Sequence, residues 1–141
     1  MFENFPNEFP DFPIGTFNLD EDDTLNEEQI VVGDIGKKAG TCLIEVFPTE
    51  GKFIPHVHVH NADKSFQACV RLDVPEYFKH NAYKDEFNSK QKKKFNEIMH
   101  MTTYYDPDHN YWESACITWN KNYAKYPVDF KKIGDIDYTK L

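Results

Sequence analysis

Three histidines alternate with two valines in the run Pro55-His56-Val57-His58-Val59-His60. Neutral imidazoles are common metal ligands. A period of two is the period of a β-strand, whose successive side chains point to opposite faces. His56, His58 and His60 therefore share one face, and Val57 and Val59 turn to a core. Asn61-Ala62-Asp63-Lys64 reads as a turn, and Ser65-Phe66-Gln67-Ala68-Cys69-Val70-Arg71-Leu72 is a second alternating run. Pairing the two runs about that turn sets His60 opposite Ser65, His58 opposite Gln67 and His56 opposite Cys69. Cross-strand partners lie on the same face. One surface of the hairpin then carries three imidazoles and a thiol, and the other is lined by Val57, Val59, Phe66, Ala68, Val70 and Leu72.

That surface has the chemistry of a zinc site. Zinc takes four ligands in tetrahedral array, commonly imidazole nitrogen and thiolate sulfur. His56, His58 and Cys69 supply three. His80 is the expected fourth, because it follows the second strand closely and a short turn at Pro75 folds it back over the sheet. His60 is the alternative, although it sits at the hairpin end, away from Cys69. His100 and His109 are further histidines with no spacing argument. Three imidazoles and one thiolate fill every position, and a closed site of that kind is structural rather than catalytic. Two other readings stand beside it. One is a small metal-dependent hydrolase with an open site at His56, His58 and Cys69, and the other is a solvated histidine face with no metal.

Other catalytic patterns fit poorly. Gly51 to His58 matches the start of a cupin pattern loosely, but only Asn61 and Asp63 follow where a Glu is needed. The His-x-Glu and Cys-x-x-Cys of zinc deaminases are absent. The two-histidine phosphoesterases need His-x-Thr or His-x-Ser, and the third residue here is His. No His-Glu-x-x-His, Gly-rich phosphate loop or Gly-x-Ser-x-Gly is present.

The elements that must position these residues follow from pattern and composition. At 141 residues the chain is the size of one domain. Its 12 Phe and 8 Tyr demand a packed core. We expect an acidic, aromatic N-terminal arm over 1–28, a β-meander over 29–73, a helical part over 74–122 and an extended C-terminal tail over 123–141. The meander comprises Gln29-Ile30-Val31-Val32, Thr41 to Phe47, Phe53 to His60 and Ser65 to Asp73, with spacings too short for parallel crossovers. Val74 to His80 reads as one helical turn with Pro75 at its start. Asn88 with Gln91 three residues on marks a helix entry, with Phe95, Ile98 and Met99 as its apolar stripe and Lys90, Lys92, Lys93 and Lys94 as its solvated side. Trp112, Ala115, Cys116 and Trp119 repeat at helical spacing, and the two tryptophans are expected as core anchors. The fold class is therefore α+β: an antiparallel sheet of about four strands with two main helices packed on one face.

Charge and cysteines narrow the function. Net charge is −8 and unevenly placed. Residues 1–50 carry 12 acidic and 2 basic side chains, a balance of −10, and residues 51–141 carry 12 acidic and 14 basic, a balance of +2. An acidic third repels phosphates, so direct nucleic-acid binding is disfavoured, and a protein with a basic surface is the better electrostatic match. The plainer reading is that acidic loops keep a small protein dissolved. Cys42 and Cys116 lie in apolar runs and are expected as core thiols. No apolar run reaches the ~20 residues of a membrane helix. The start Met-Phe-Glu-Asn-Phe lacks the basic region of a signal peptide, which makes a cytoplasmic location the expectation.

The order His56-Val57-His58, Cys69, Tyr77-Phe78-Lys79-His80, Asn88-Ser89-Lys90-Gln91 and Tyr111-Trp112-Glu113 resembles small uncharacterised proteins of phages and mobile elements in low-GC bacteria. The resemblance covers roughly residues 41 to 120. Small size, acidic balance, phage-like composition and a zinc-site pattern are together similar to phage anti-CRISPR proteins, which block the type II RNA-guided DNA-cutting effector. Several of these are acidic and dock on basic surfaces that otherwise hold nucleic acid. The resemblance implies a zinc-binding inhibitor, working in the host bacterial cytoplasm, that binds a CRISPR effector nuclease and blocks nucleic-acid loading without catalysis. Zinc would then staple the fold, and an acidic surface would do the docking.

Overall fold

The computed structural model describes residues 12–20, 38–47, 51–102 and 106–141. Four strands, β1 (Phe12–Asn18), β2 (Thr41–Val46), β3 (His56–Asn61) and β4 (Gln67–Arg71), form one sheet in the order β1-β2-β3-β4, with every neighbouring pair antiparallel. Helices α1 (Ser89–Met99) and α2 (Tyr111–Asn122) follow, then a single turn α3 (Phe130–Ile133) and a 3-10 turn at Tyr138–Lys140. This is the α+β class expected from the pattern.

Register sorts the side chains onto two faces. Ile44 pairs with Val59, and Val59 with Ala68. These residues, with Val46, Val57, Val70 and Leu72, are fully buried. They join Phe95, Met99, Trp112, Ala115 and Trp119 of the helices in one apolar cluster. On the other face Glu45 pairs with His58, and Leu43 with His60.

Both helix starts follow from their sequences. The Asn88 side chain accepts from the Gln91 amide at 2.8 Å, and the Gln91 side chain accepts in return from the Asn88 amide at 2.9 Å. Asn110 and Glu113 close the same capping box on α2. Each box satisfies two amides that a helix start otherwise leaves orphaned. Trp112 Nε1 donates to Leu72 O at 2.9 Å and Trp119 Nε1 to Tyr126 O at 2.7 Å. The two tryptophans are core anchors with satisfied polar tips.

Three expectations need correction. First, β1 occupies Phe12–Asn18, inside the stretch expected as an arm. A bulge between Pro13 and Gly15 breaks the alternation that would otherwise mark a strand. Gln29-Ile30-Val31-Val32, Phe2, Phe5 and Phe9 lie outside the described residues. Second, residues 74–80 form no helical turn. Tyr77 makes a bridge to Val70 instead, so this segment runs extended beside β4. The open edge of β4 offers backbone partners that one isolated helical turn does not supply. Third, the C-terminal tail is not wholly extended, since it holds α3 and the 3-10 turn. It is anchored by Tyr138, whose hydroxyl donates to Arg71 O at 2.5 Å and whose amide donates to Asn96 Oδ1 at 2.8 Å. Burial pushes the Tyr138 phenol well above its ordinary range, so it remains a neutral donor.

Gly15 is where α2 meets β1. A Cβ added there would lie 2.5 Å from Tyr111 Cε2. Gly15→Ala is therefore expected to cost about 1–3 kcal/mol of stability through overpacking, read as a lower urea midpoint. An unchanged midpoint would mean that the Tyr111 ring does not fix this contact.

Candidate metal centre

The hairpin that carries the histidines is shifted by two residues from the expected register. His56 pairs with Arg71, His58 with Cys69 and His60 with Gln67. The cause is a longer connection. The Asn61 amide donates to Phe66 O at 3.2 Å, and Asn61 Oδ1 accepts from the Phe66 amide at 3.1 Å. Asn61 and Phe66 thus close the loop, and Lys64 takes the left-handed conformation inside it at φ 58°. A shift of two preserves the face of every side chain, whereas a shift of one would invert it. The three histidines and Cys69 therefore remain on one face, with His58 and Cys69 directly opposite.

Residues 74–87 lie along the outer edge of β4 as a strap. The Arg71 amide donates to Glu76 O, the Phe78 amide to Cys69 O and the Asp85 amide to Gln67 O, each at 2.9 Å. Within the strap His80 and Tyr83 form a tight turn through paired backbone hydrogen bonds, with Asn81 left-handed at φ 51°. This turn carries the His80 side chain over the sheet face.

His56, His58, Cys69 and His80 converge, each offering one ligand atom, and these atoms all lie within 4.8 Å of one another. They are 2%, 0%, 1% and 9% exposed, so these four side chains do not form the solvated face of the third reading. Covering rings explain the burial. Phe47 stacks on His58 at 3.8 Å between centroids, and Tyr83 meets the same ring edge-on at 4.3 Å. Phe78 lies 5.1 Å from His56 and 4.7 Å from His80, and Trp119 reaches His56 at 5.3 Å.

The nitrogens are oriented as metal ligands are. His56 Nδ1 lies 2.5 Å from Ile54 O, and His80 Nδ1 lies 2.8 Å from Phe78 O. A carbonyl only accepts, so each Nδ1 carries the proton and each Nε2 presents a lone pair. Hydrogen bonds from the far ring nitrogen to a carbonyl fix the tautomer and ring angle of ligating histidines. His58 Nε2 stands 3.2 Å from His80 Nε2. Two zinc–nitrogen bonds of ~2.0–2.1 Å at a tetrahedral angle place their nitrogens ~3.3 Å apart, so this pair already has the spacing of two ligands on one ion. The buried cluster can hold a metal ion.

His60 is not part of it. Glu45 Oε1 lies 2.5 Å from His60 Nε2, and His60 Nδ1 lies 3.0 Å from Asn61 O. Glu45, itself 5% exposed, is the residue that sequence reasoning missed. The signal was present: in Thr41 to Phe47, alternation places Leu43, Glu45 and Phe47 on the histidine face. His100 Nδ1 is held at 2.7 Å from Asn96 O, and His109 Nδ1 at 2.9 Å from Asp106 Oδ2. Cys42 and Cys116 are core thiols as expected. Burial, with Asp20 nearby, pushes Cys42 up to about 12. Burial, then Glu113 and Asp73, pushes Cys116 up as well. Among the described residues no helix is long and apolar enough to cross a membrane.

Comparison with protein-family models, curated proteins and solved structures finds no match to this chain.

Cobalt(II) reports on a thiolate ligand through a sulfur-to-metal charge-transfer band in the near ultraviolet. The cobalt-loaded protein is expected to show that band. Cys69→Ser is expected to abolish it, and His60→Ala to retain it with about one metal per chain. A band that survives Cys69→Ser would remove Cys69 from the centre.

Proposed function

We propose that His56, His58, Cys69 and His80 hold zinc as a closed structural centre, and that the chain acts by stoichiometric binding to a protein with a basic surface. The observation that carries this reading is the convergence of four buried donors. A tetrahedral ion bound by all four has no position left for water or substrate, which is the mark of a structural site. Three neutral imidazoles with one thiolate suit zinc, which is borderline-soft and accepts both ligand types. Zinc adds folding free energy because the unfolded chain has no preformed site. At a free concentration 1,000 times its Kd, a metal that binds only the folded state adds about 4 kcal/mol.

The partner is read from charge. A balance of −10 over residues 1–50 favours encounter with a basic protein surface. The nucleic-acid channels of RNA-guided nucleases are positively charged. On this proposal the chain is a phage-type inhibitor that occupies such a channel in a type II CRISPR effector and blocks nucleic-acid loading. The rival, a metal-dependent hydrolase, needs one ligand to leave. With all four donors on the ion no position is open, and the rings of His56 and His80 are both held at Nδ1 by a backbone carbonyl, Ile54 O and Phe78 O.

The test has two parts. Plasma mass spectrometry of untagged protein is expected to find about one zinc per chain, and chelation to lower the melting temperature. The zinc-loaded protein, titrated into a purified type II effector, is expected to block guide-RNA or target-DNA binding stoichiometrically, with weaker inhibition as salt rises. Zinc-dependent hydrolysis of an ester or phosphoester, lost in a folded His56→Ala variant, would replace binding with catalysis.

A further inference from the structure

β4 ends the sheet, and the strap of residues 74–87 covers its outer edge. The outward backbone groups are engaged in sequence: the Gln67 amide donates to Asp85 Oδ2, Gln67 O accepts from the Asp85 amide, Cys69 O accepts from the Phe78 amide, and the Arg71 amide donates to Glu76 O. The strap forms no helix, and most of its middle faces water, with Lys79, Asn81, Ala82 and Lys84 exposed. Between Phe78 and Asp85, only His80 and Tyr83 are buried. Both sit at the metal cluster, His80 as a donor and Tyr83 with its ring against His58. The other three donors come from the hairpin beneath.

We propose that the metal is a latch, joining the strap to the sheet through His80 and thereby controlling whether the β4 edge is covered. This rests on the metal centre proposed above. With the ion bound, His80 pins the middle of the strap over β4. With the ion removed, four buried polar groups lose the charge that satisfies them together, and burial of such groups becomes unfavourable. His80 is the donor that reaches water with the least disruption, because it moves with its own exposed turn. The strap then opens from the middle, and the outward backbone groups of Gln67 and Cys69 lose the partners that Phe78 and Asp85 supply. An open edge of that kind is a template for an added strand. The rest of the fold stays in place, because none of the four donors belongs to the apolar cluster, although Trp119 of that cluster touches the His56 ring. Metal occupancy is thus coupled to exposure of the β4 edge.

Hydrogen exchange read by mass spectrometry on the full chain tests the latch, with zinc content measured on each sample. In chelated protein, peptides spanning Phe78 to Asp85 and Gln67 to Arg71 are expected to exchange ~10-fold faster or more than in zinc-loaded protein. Peptides from β2 and α2 are expected to be unchanged. His80→Ala in excess zinc is expected to reproduce the chelated pattern. Should that variant not fold, the chelated wild-type chain carries the test alone. Uniform acceleration across the strap, β2 and α2 would overturn the latch, since the ion would then hold the whole domain. Unchanged exchange in the strap after verified zinc loss would overturn it too. A chain that takes up no zinc at all would sink the metal centre itself, and the latch with it.

Discussion

Three imidazoles and a thiol are buried on one face of a β-sheet, and that burial is the constraint on which this half of the molecule depends. Polar groups removed from water need partners. Carbonyl oxygens of Ile54 and Phe78 satisfy the outer nitrogens of His56 and His80. The inner donor atoms lie within 4.8 Å of one another, where a single cation would satisfy them together. The surrounding rings of Phe47, Phe78, Tyr83 and Trp119 exclude water from the cluster. Such a shell strengthens electrostatic interaction with an ion by lowering the local dielectric.

The two faces of the sheet divide the work. One is an apolar core in which Ile44, Val57, Val59 and Val70 pack with Phe95 and Trp112 of the helices. Its stability comes from area removed from water. The other face carries Glu45, His58 and Cys69, and it is covered in part by the strap, which has no regular structure of its own. A sheet with a single core commonly leaves its second face to solvent. Here the second face is instead closed over a cluster with metal-ligand chemistry.

Much of this was legible in the sequence because it depends on period. Alternation at His56-Val57-His58-Val59-His60 gave the face of each residue, and parity kept that face correct although the pairing shifted by two. Asn88 with Gln91 announced the start of α1, because a capping box is local, and the spacing of Trp112, Ala115, Cys116 and Trp119 announced α2. His80 was legible from proximity to β4 along the chain, although the expected route, a helical turn, was not the one taken. What stayed hidden was non-local. The strap pairs with a strand edge that exists only once the sheet forms. The bulge in β1 erased its alternation. Alternation gave the face of Glu45, but only the Leu43↔His60 and Glu45↔His58 pairing brings its carboxylate to His60 Nε2. Gln91 was read as a cap, yet it is buried and also donates to Asp20 Oδ1 at 2.8 Å, tying α1 to the end of β1.

The central claim is that one zinc ion is held by three imidazoles and one thiolate. Zinc-edge X-ray absorption on the purified full chain measures that coordination directly. The account predicts a four-coordinate ion with one sulfur at about 2.3 Å and three nitrogens at about 2.0–2.1 Å, with the multiple-scattering signature of histidine rings. A first shell with no sulfur, or a five- or six-coordinate shell of oxygen and nitrogen alone, would contradict it.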